Sequence, residues 1–329
     1  MAGIRCAVVG VGYLGRFHAR KYAELAGAEL VAVADCDARA ASRVAAECGC
    51  AALTDYRRLL GTVAAVSVAV PTSLHFEVAQ AFLQRGTHVL LEKPMTATVA
   101  EARALNRIAR ERGVVLQVGH LERFNAALLE LAGRDVAPLF IEAHRLAPYK
   151  PRSTDIDVVL DLMIHDLDII LSLVDAPPER IAASGACVLS DAIDIANARL
   201  EFAGGCVANV TASRVSMKHE RRMRIFEQDA YIAIDFHRQG LAVHRLGRRE
   251  MYPGVPEIVG DERCFSDDDA LRREIAAFLE AVRSGTPAVV SGEDGLRALE
   301  TAIRIRDRVR APTLGRRAAP APPADSRGE

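Results

Sequence analysis

A glycine turn between an apolar strand and a helix is the feature that most constrains how this chain can fold. Gly10, Gly12 and Gly15 follow a strand-like run at residues 4–9 and open a helical pattern. A dinucleotide site needs these glycines for a tight turn, close approach of a pyrophosphate, and packing of helix on strand. The start of the helix then stabilises the phosphates. The predicted cofactor site in this turn comprises Gly10, Gly12, Tyr13, Leu14 and Gly15.

An acidic residue follows the second predicted strand. The strand at residues 29–34 ends at Asp35, twenty positions after Gly15. A carboxylate at this distance can accept hydrogen bonds from an adenosine ribose. Asp35 favours NAD because a 2′-phosphate would meet its negative charge, while Arg39 keeps NADP open as a minor alternative. Asp37 is interpreted as a helix cap.

Strand and helix patterns alternate up to about residue 120. Strand-like runs at residues 65–70, 87–91 and 114–118 are separated by helical patterns. This alternation predicts an α/β fold in which residues 1–120 form a doubly wound, parallel Rossmann sheet.

The loop after the strand at residues 65–70 contains Pro71, Thr72, Ser73 and His75. The loop starts at the carboxyl end of a strand that is expected to lie next to the first strand of the sheet. Pro71, Thr72 and His75 are therefore predicted to contact the cofactor. The alternative is that Thr72 and Ser73 only cap the next helix.

A lysine ends the next strand. Residues 87–91 are apolar or β-branched, and Glu92, Lys93 and Pro94 follow at once. Pro94 lacks an amide donor and cannot extend the strand, so the turn falls on Lys93. Open α/β sheets bind ligands at this edge, and partial desolvation there lowers the pKa of a lysine toward the range of proton transfer. The alternative is a solvated loop lysine.

The second half of the chain has a different pattern. Apolar residues alternate from residue 179 onward, with a turn at Gly204 and Gly205. The pattern predicts β-hairpins, and hence an α+β domain at residues 121–311 with a large, mainly antiparallel sheet. A loop is predicted at residues 248–268, and a disordered tail rich in Pro, Ala and Arg at residues 312–329. The open face of the sheet is a candidate surface for a homodimer or homotetramer.

Asp161 and His165 stand four residues apart in an amphipathic helix predicted at residues 156–174. This spacing puts both on one face, where a carboxylate would orient an imidazole and raise its basicity. The alternative is an ion pair on the helix surface. Asp166 and Asp168 could join His165 in a metal cluster, but no second histidine or cysteine stands at ligand spacing, so no metal is predicted.

Composition narrows the possible partners. A net charge of −1 gives no general attraction to nucleic acid or to an anionic membrane. The chain begins on a strand-like segment and has no apolar run of membrane-spanning length, which predicts a cytoplasmic protein. Its seven cysteines include no CxxC pair, so neither a zinc site nor a disulfide framework is predicted.

The glycine turn with Asp35, the Glu92-Lys93-Pro94 run, and Asp161 with His165 occur together in this chain. In this combination residues 3–310 resemble the Gfo/Idh/MocA family of oxidoreductases. The resemblance implies that Lys93, Asp161 and His165 surround a nicotinamide and the carbinol being oxidised. His165 is then the predicted base, Asp161 orients it or bonds a neighbouring hydroxyl, and Lys93 stabilises the alkoxide.

Other site residues are predicted around this centre. The cofactor site is extended by Glu92, Lys93 and Gln117, and the predicted substrate residues are His120, Arg123, Asn125, Arg145, Lys150 and Arg214. Arg145, Lys150, Arg152 and Arg214 could bind a diphosphate by charge-assisted hydrogen bonds. The alternative is that each is an ordinary surface residue.

The stretches around His120, Arg145 and Asp161 are most similar to the nucleotide-sugar branch of the family. That similarity implies oxidation of the 3-hydroxyl of a UDP-N-acetyl-hexosamine, with an aminotransferase as functional partner in the synthesis of amino-sugar lipid A. Three alternatives remain open: a UDP-N-acetylglucosaminuronate 3-dehydrogenase, an inositol or free-sugar dehydrogenase, and a catalytically silent NAD-binding regulator.

Overall fold

A computed structural model describes residues 3–131, 133–149, 156–265 and 269–310. Lys150, Arg152 and the tail predicted at residues 312–329 lie outside the described residues. Within the described ranges no helix is long and apolar enough to cross a membrane.

The N-terminal part contains a six-stranded parallel sheet in the order β3-β2-β1-β4-β5-β6. Its strands are β1 (Ile4–Val9), β2 (Ala28–Ala34), β3 (Ala51–Leu53), β4 (Ala65–Val68), β5 (His88–Glu92) and β6 (Leu116–Gly119). The connecting helices are α1 (Gly15–Glu24), α2 (Ala38–Cys48), α3 (Thr72–Gln84) and α4 (Val99–Arg112). The predicted Rossmann sheet is confirmed, and the strand order reverses between β1 and β4. Ligands bind at such a switch point.

Local signals explain the starts of two helices in this part. Asp37 caps α2 by accepting hydrogen bonds from the amides of Arg39 and Ala40, as predicted. Thr98 and Glu101 form a capping box at the start of α4. Strand β3 was not predicted, because its three residues are too few to show a period.

The second sheet has eight strands in the order β14-β13-β12-β11-β7-β10-β9-β8. They are β7 (Phe140–Leu146), β8 (Arg180–Ala186), β9 (Ile195–Glu201), β10 (Val207–Ser213), β11 (Glu220–Phe226), β12 (Ala230–Asp235), β13 (Gly240–Tyr252) and β14 (Val255–Cys264). Neighbours are antiparallel except β7 and β10. The predicted, mainly antiparallel sheet is therefore confirmed. In β7, β9 and β10 every second side chain is buried, so one face is covered.

The prediction of a loop at residues 248–268 is wrong. Most of it forms the outer part of the hairpin between β13 and β14, which turns at Gly254 with φ of +78°. Nearly all side chains of β14 are exposed. A strand with two exposed faces shows no alternation of apolar and polar residues, so the sequence pattern could not reveal it.

The remaining helices are α5 (Ala126–Leu129), α6 (Ile164–Val174), α7 (Ala270–Ser284) and α8 (Gly292–Arg310). The last two of them, α7 and α8, pack against elements of the first half of the chain. Ile275 and Phe278 of α7 share a buried cluster with Val8 of β1 and Tyr22 of α1. Helix α8 packs against both α4 and α6. The C-terminal helices therefore join the two sheets and bring α7 beneath the edge where β5 ends.

Candidate active site

The three glycines of the first turn meet different surroundings. Gly10 has φ of +83°, and a Cβ on Gly15 would lie 1.8 Å from the Gly10 carbonyl oxygen. A Cβ on Gly12 would meet no atom within 4 Å. The first and third glycines are therefore needed for the turn and for helix packing, whereas Gly12 leaves open space beside the start of α1. A pyrophosphate fits that position.

A cavity of about 800 Å³ adjoins the glycine turn. Of the predicted residues, Gly10, Gly12, Asp35 and Pro71 line it. Asp35 accepts hydrogen bonds from the amides of Val11 (2.8 Å) and Asp37 (2.9 Å), so the carboxylate also ties the glycine turn to the end of β2. The cavity and its acidic wall fit the adenosine half of a dinucleotide.

Sequence reasoning missed several residues that line this cavity. They include Thr54, Asp55, Tyr56, Arg57, Leu74 and Glu77. The first four follow β3 at the same edge of the sheet. Recognition of β3 as a strand would have pointed to them, since loops after parallel strands converge on the ligand edge.

A second cavity of about 590 Å³ continues the crevice along the sheet edge. Both cavities share Ala69, Val70 and Pro71. Of the predicted residues, Leu14, Pro71, Thr72, His75, Glu92, Lys93 and Asp161 line the second cavity, and Thr96, Asp157 and Arg306 were missed. Thr72 begins α3 without a side-chain cap, which disfavours the capping interpretation. Tyr13 is exposed and packs edge-on against Phe17.

Lys93 reaches from the end of β5 to the second half of the chain. Its Nζ donates to the backbone oxygen of Asp161 at 2.7 Å and to the Oδ1 atom of Asp161 at 3.1 Å. The Lys93 side chain is only 15% exposed, which excludes the solvated loop lysine. The structure thus brings together two of the three predicted catalytic residues on the wall of the second cavity.

His75 and Glu92 hold the turn around Lys93. The two ring nitrogens of His75 each lie 2.9 Å from a carbonyl oxygen, one of Pro94 and one of Val70. Glu92 accepts a hydrogen bond from the Lys93 amide at 3.2 Å and lies 2.9 Å from His18 Nε2. Only 1% of His75 is exposed, so its position indicates that it fixes two loops to each other.

The predicted pairing of Asp161 with His165 is wrong, because no hydrogen bond joins the two side chains among the described residues. Residues Val159–Met163 form a π-helical turn, and α6 begins only at Ile164. Asp161 is paired with Lys93 instead.

His165 lies against a second imidazole. The rings of His165 and His120 meet edge-on with centroids 6.2 Å apart. The Nδ1 atom of His165 and both ring nitrogens of His120 are buried and have no hydrogen-bond partner among the described residues. Burial first, and then the charge of Lys93, hold the pKa of His165 well below its ordinary value. The imidazole is therefore neutral near neutral pH, able to accept a proton.

Arg145 is not available to a substrate, contrary to prediction. It is 3% exposed, and its Nε and Nη2 atoms donate to the two carboxylate oxygens of Asp166 at 2.9 and 2.8 Å. Its Nη1 donates to Glu122 at 2.8 Å. Burial lowers the pKa of Arg145, but the two carboxylates outweigh it and hold that pKa above the ordinary value. The guanidinium is a structural cation joining β7 to α6.

Three other predicted ligands are also engaged inside the protein. Arg214 donates to Asp194 at 2.7 Å and to the Ile156 oxygen at 2.6 Å. Asn125 caps α5 and donates to the Phe236 oxygen. Gln117 has no exposed surface and donates to the backbone carbonyl oxygen of Glu274 at 3.1 Å. Their bonds indicate structural roles, because sequence position alone cannot show that a polar side chain is already paired. Arg123 lies 3.5 Å from Asp168 and is 18% exposed.

The crevice and its glycine turn define an NAD-binding oxidoreductase. A family model described as an oxidoreductase family with an NAD-binding Rossmann fold matches residues 4–120, and the GFO/IDH/MocA C-terminal domain matches residues 138–233. The chain belongs to the Gfo/Idh/MocA family. The predicted family and the predicted NAD cofactor are confirmed.

Similar proteins are dehydrogenases. The UDP-N-acetylglucosamine 3-dehydrogenase of Acidithiobacillus ferrooxidans is 44% identical over 94% of this chain and 99% of the relative. Its solved structure superposes with a TM-score of 0.88 over 94% of this chain and 98% of that one. The scyllo-inositol 2-dehydrogenase (NAD(+)) of Bacillus subtilis is 28% identical over 91% of this chain and 92% of its own length. Levoglucosan dehydrogenase in complex with NADH, 19% identical, shares the fold with a TM-score of 0.83 over 94% of this chain and 97% of its own.

Two alanine substitutions in the glycine turn separate packing from cofactor binding. Gly15→Ala is expected to lower the free energy of unfolding by about 3 kcal/mol, because its Cβ would overlap the Gly10 carbonyl. Gly12→Ala should leave stability within about 0.5 kcal/mol and weaken NAD binding, because its methyl group would fill the open space. Denaturant unfolding and NAD titration measure the two effects. Equal unfolding curves for both variants would contradict this assignment.

Removal of the buried guanidinium of Arg145 should destabilise the fold. Arg145→Ala leaves the buried Asp166 carboxylate without its bidentate partner, at a cost of about 3–5 kcal/mol. The exposed Arg222 of β11 is the control, and Arg222→Ala should change the free energy of unfolding by less than about 0.5 kcal/mol. Normal stability of Arg145→Ala with a raised KM would show that Arg145 binds substrate after all.

Proposed function

We propose that this protein oxidises the 3-hydroxyl of a UDP-N-acetyl-hexosamine, UDP-N-acetylglucosamine in the first instance, with NAD as hydride acceptor. The observation that carries the proposal is the Lys93–Asp161 pair on the crevice wall, 3.1 Å apart at the end of β5. It is supported by 44% identity to a UDP-N-acetylglucosamine 3-dehydrogenase across nearly the full length of both chains.

The residues of the crevice fit the cofactor. The open position at Gly12, the start of α1 and the Asp35 carboxylate would hold its pyrophosphate and adenosine ribose. When bound, NAD supplies the carbon that accepts a hydride from the sugar. Pro71, which lines both cavities, and Thr72 lie along the path toward Lys93, where the nicotinamide half would be held.

In this proposal His165 accepts the proton of the sugar hydroxyl, and Lys93 stabilises the alkoxide that forms. His165 is neutral because burial and Lys93 lower its pKa, so its ring can take the hydroxyl proton. Lys93 stabilises the developing alkoxide with its charge and with the one ammonium proton that is not donated to Asp161. Asp161 positions Lys93 through two hydrogen bonds rather than orienting His165.

Recognition of the diphosphate needs cations that are not already buried in pairs. Arg306 lines the second cavity, and its side chain is 21% exposed beside Asp307. Its position supports a contact with a substrate phosphate. Lys150 remains a predicted ligand, outside the described residues.

The wider setting is part of the same proposal. A 3-keto nucleotide sugar is a substrate for transamination, so the functional partner is an aminotransferase, in the synthesis of amino-sugar lipid A. The proposed homodimer or homotetramer forms through the C-terminal sheet. Its hairpin exposes Leu246, Tyr252 and Ile258, which supports an interface on this side.

Loss of the Lys93 amino group should stop turnover without removing the cofactor. Lys93→Ala is expected to lower kcat by at least about 10²-fold, because the alkoxide loses its stabilising charge. The dissociation constant for NAD should change less than about threefold, since the glycine turn is intact. Lys218→Ala, at an exposed lysine, is the control. Retained turnover of Lys93→Ala would refute the role of Lys93.

A substrate screen tests the proposed reaction directly. NADH formation would be followed with UDP-N-acetylglucosamine, UDP-N-acetylglucosaminuronate, inositols and free hexoses. An aminotransferase with glutamate would be added in parallel to consume the keto product. We expect turnover of the UDP-N-acetyl-hexosamine, increased by the aminotransferase. Turnover of inositols or hexoses alone would favour the class of the 28% identical relative, and no turnover with any sugar would favour the silent regulator.

A further inference from the structure

Glu274 is a fully buried carboxyl group on α7, below the active-site crevice. None of its side chain is exposed, and neither carboxyl oxygen has a hydrogen-bond partner within the described part of the chain. An ionised carboxylate without a partner in a dry interior is strongly unfavourable, whereas a neutral acid is tolerated at a much smaller cost. The surroundings of Glu274 therefore favour the protonated form.

A second carboxyl group and an imidazole face Glu274. One ligand-type atom each of His18, Glu92 and Glu274 lies within 4.8 Å of the other two. Glu92 has two partners that stabilise its negative charge, namely the ring of His18 at 2.9 Å and the amide of Lys93 at 3.2 Å. Glu274 has none among the described residues. One proton shared between the two carboxyl groups therefore belongs on Glu274.

The direction of both pKa values agrees with this geometry. Burial and the charge of Glu92 raise the pKa of Glu274 well above its ordinary value. Burial alone would also raise the pKa of Glu92, but His18 and then Lys93 outweigh it and hold that pKa below the ordinary value.

The elements packed against α7 are α1, β5 and the turn Leu121–Phe124. Of their described titratable groups, His18 and Glu92 each have an atom within 4.8 Å of Glu274, and Tyr22 is close enough to Glu274 for an electrostatic interaction. Burial raises the pKa of Tyr22 well above its ordinary value, so its hydroxyl is neutral. Glu122 and Arg123 pair with Arg145 and Asp168. Glu92 is therefore the carboxylate within reach of Glu274.

We propose that Glu274 is a positioning residue for Lys93, an acid that is protonated in the folded protein at neutral pH and whose O–H is directed at the Glu92 carboxylate and fixes it. Glu92 in turn holds the backbone of Lys93, whose amino group extends to Asp161. The catalytic meaning of this arrangement rests on the function proposed above. The protonation of Glu274 does not, and it can be tested without any substrate.

Infrared spectroscopy of the full-length protein tests the protonation. At about pH 7 an ordinary glutamate is ionised, so a carboxylic-acid C=O band identifies a group with a raised pKa. We expect such a band in the wild type and in Glu280→Gln, the same change at an exposed position of α7, and its loss in Glu274→Gln. Absence of this difference would overturn the proposal. One transition metal ion per purified chain would also overturn it, because the three side chains would then be ligands.

Stability as a function of pH gives an independent readout. A group with a raised pKa contributes stability that is present below its unfolded value, ordinarily 4.5, and lost as the pH rises toward the folded value. As the pH rises above 4.5, the wild type should therefore lose stability relative to Glu274→Gln, which cannot ionise. Parallel stability curves would contradict a buried acid at this position.

Kinetics of two neutral variants test the positioning role. Glu274→Gln keeps a donor facing Glu92, and Glu274→Met fills a similar volume without one. We expect kcat of the Gln variant within about threefold of wild type and kcat of the Met variant lowered about tenfold, the equivalent of one lost hydrogen bond. KM for NAD should stay within about twofold in both. Equal kcat values for the two folded variants would overturn the role of the donor, even if the infrared band is present.

Discussion

The salt bridge between Lys93 and Asp161 is the interaction on which the rest of the site depends. Lys93 ends a strand of the first sheet, and Asp161 belongs to the π-turn that precedes α6 in the second half of the chain. A partly buried ammonium needs a partner to offset the loss of hydration, and Asp161 supplies both a carboxylate and a carbonyl oxygen. The pair joins the two halves at the point where the proposed reaction takes place.

Paired charges elsewhere decide which side chains remain available for ligands. Arg145 is enclosed by Asp166 and Glu122, and Arg214 is bonded to Asp194. Each pair connects elements distant in sequence, and removal of one member would leave an uncompensated charge. Arg145 holds β7 to α6, and Arg214 holds the end of β10 to the segments before β9 and before the π-turn. A phosphorylated substrate therefore depends on cations at the cavity wall, such as Arg306.

Sequence patterns located the first sheet and most of the cofactor crevice, because the signals there are local. The glycine turn is formed by its own glycines, and Asp35 and Lys93 each directly follow the strand that positions them. Sequence patterns failed where the partner of a side chain lies far along the chain, and where a strand buries neither of its faces. The outer hairpin of β13 and β14 is largely exposed, and the partner of Asp161 is Lys93, which lies 68 residues away in the sequence.

The sequence by itself determined the class of fold and the NAD crevice, and it singled out the lysine and the histidine to which the proposed reaction assigns catalytic roles. Only the tertiary structure decided their partners: Asp161 for Lys93, His120 for His165, and Glu92 for the unpaired acid Glu274. The physical reason is that backbone conformation responds to neighbours along the chain, whereas the pairing and protonation of a polar side chain depend on burial and on charges brought close by packing. Those distances exist only after the two sheets and their helices have assembled.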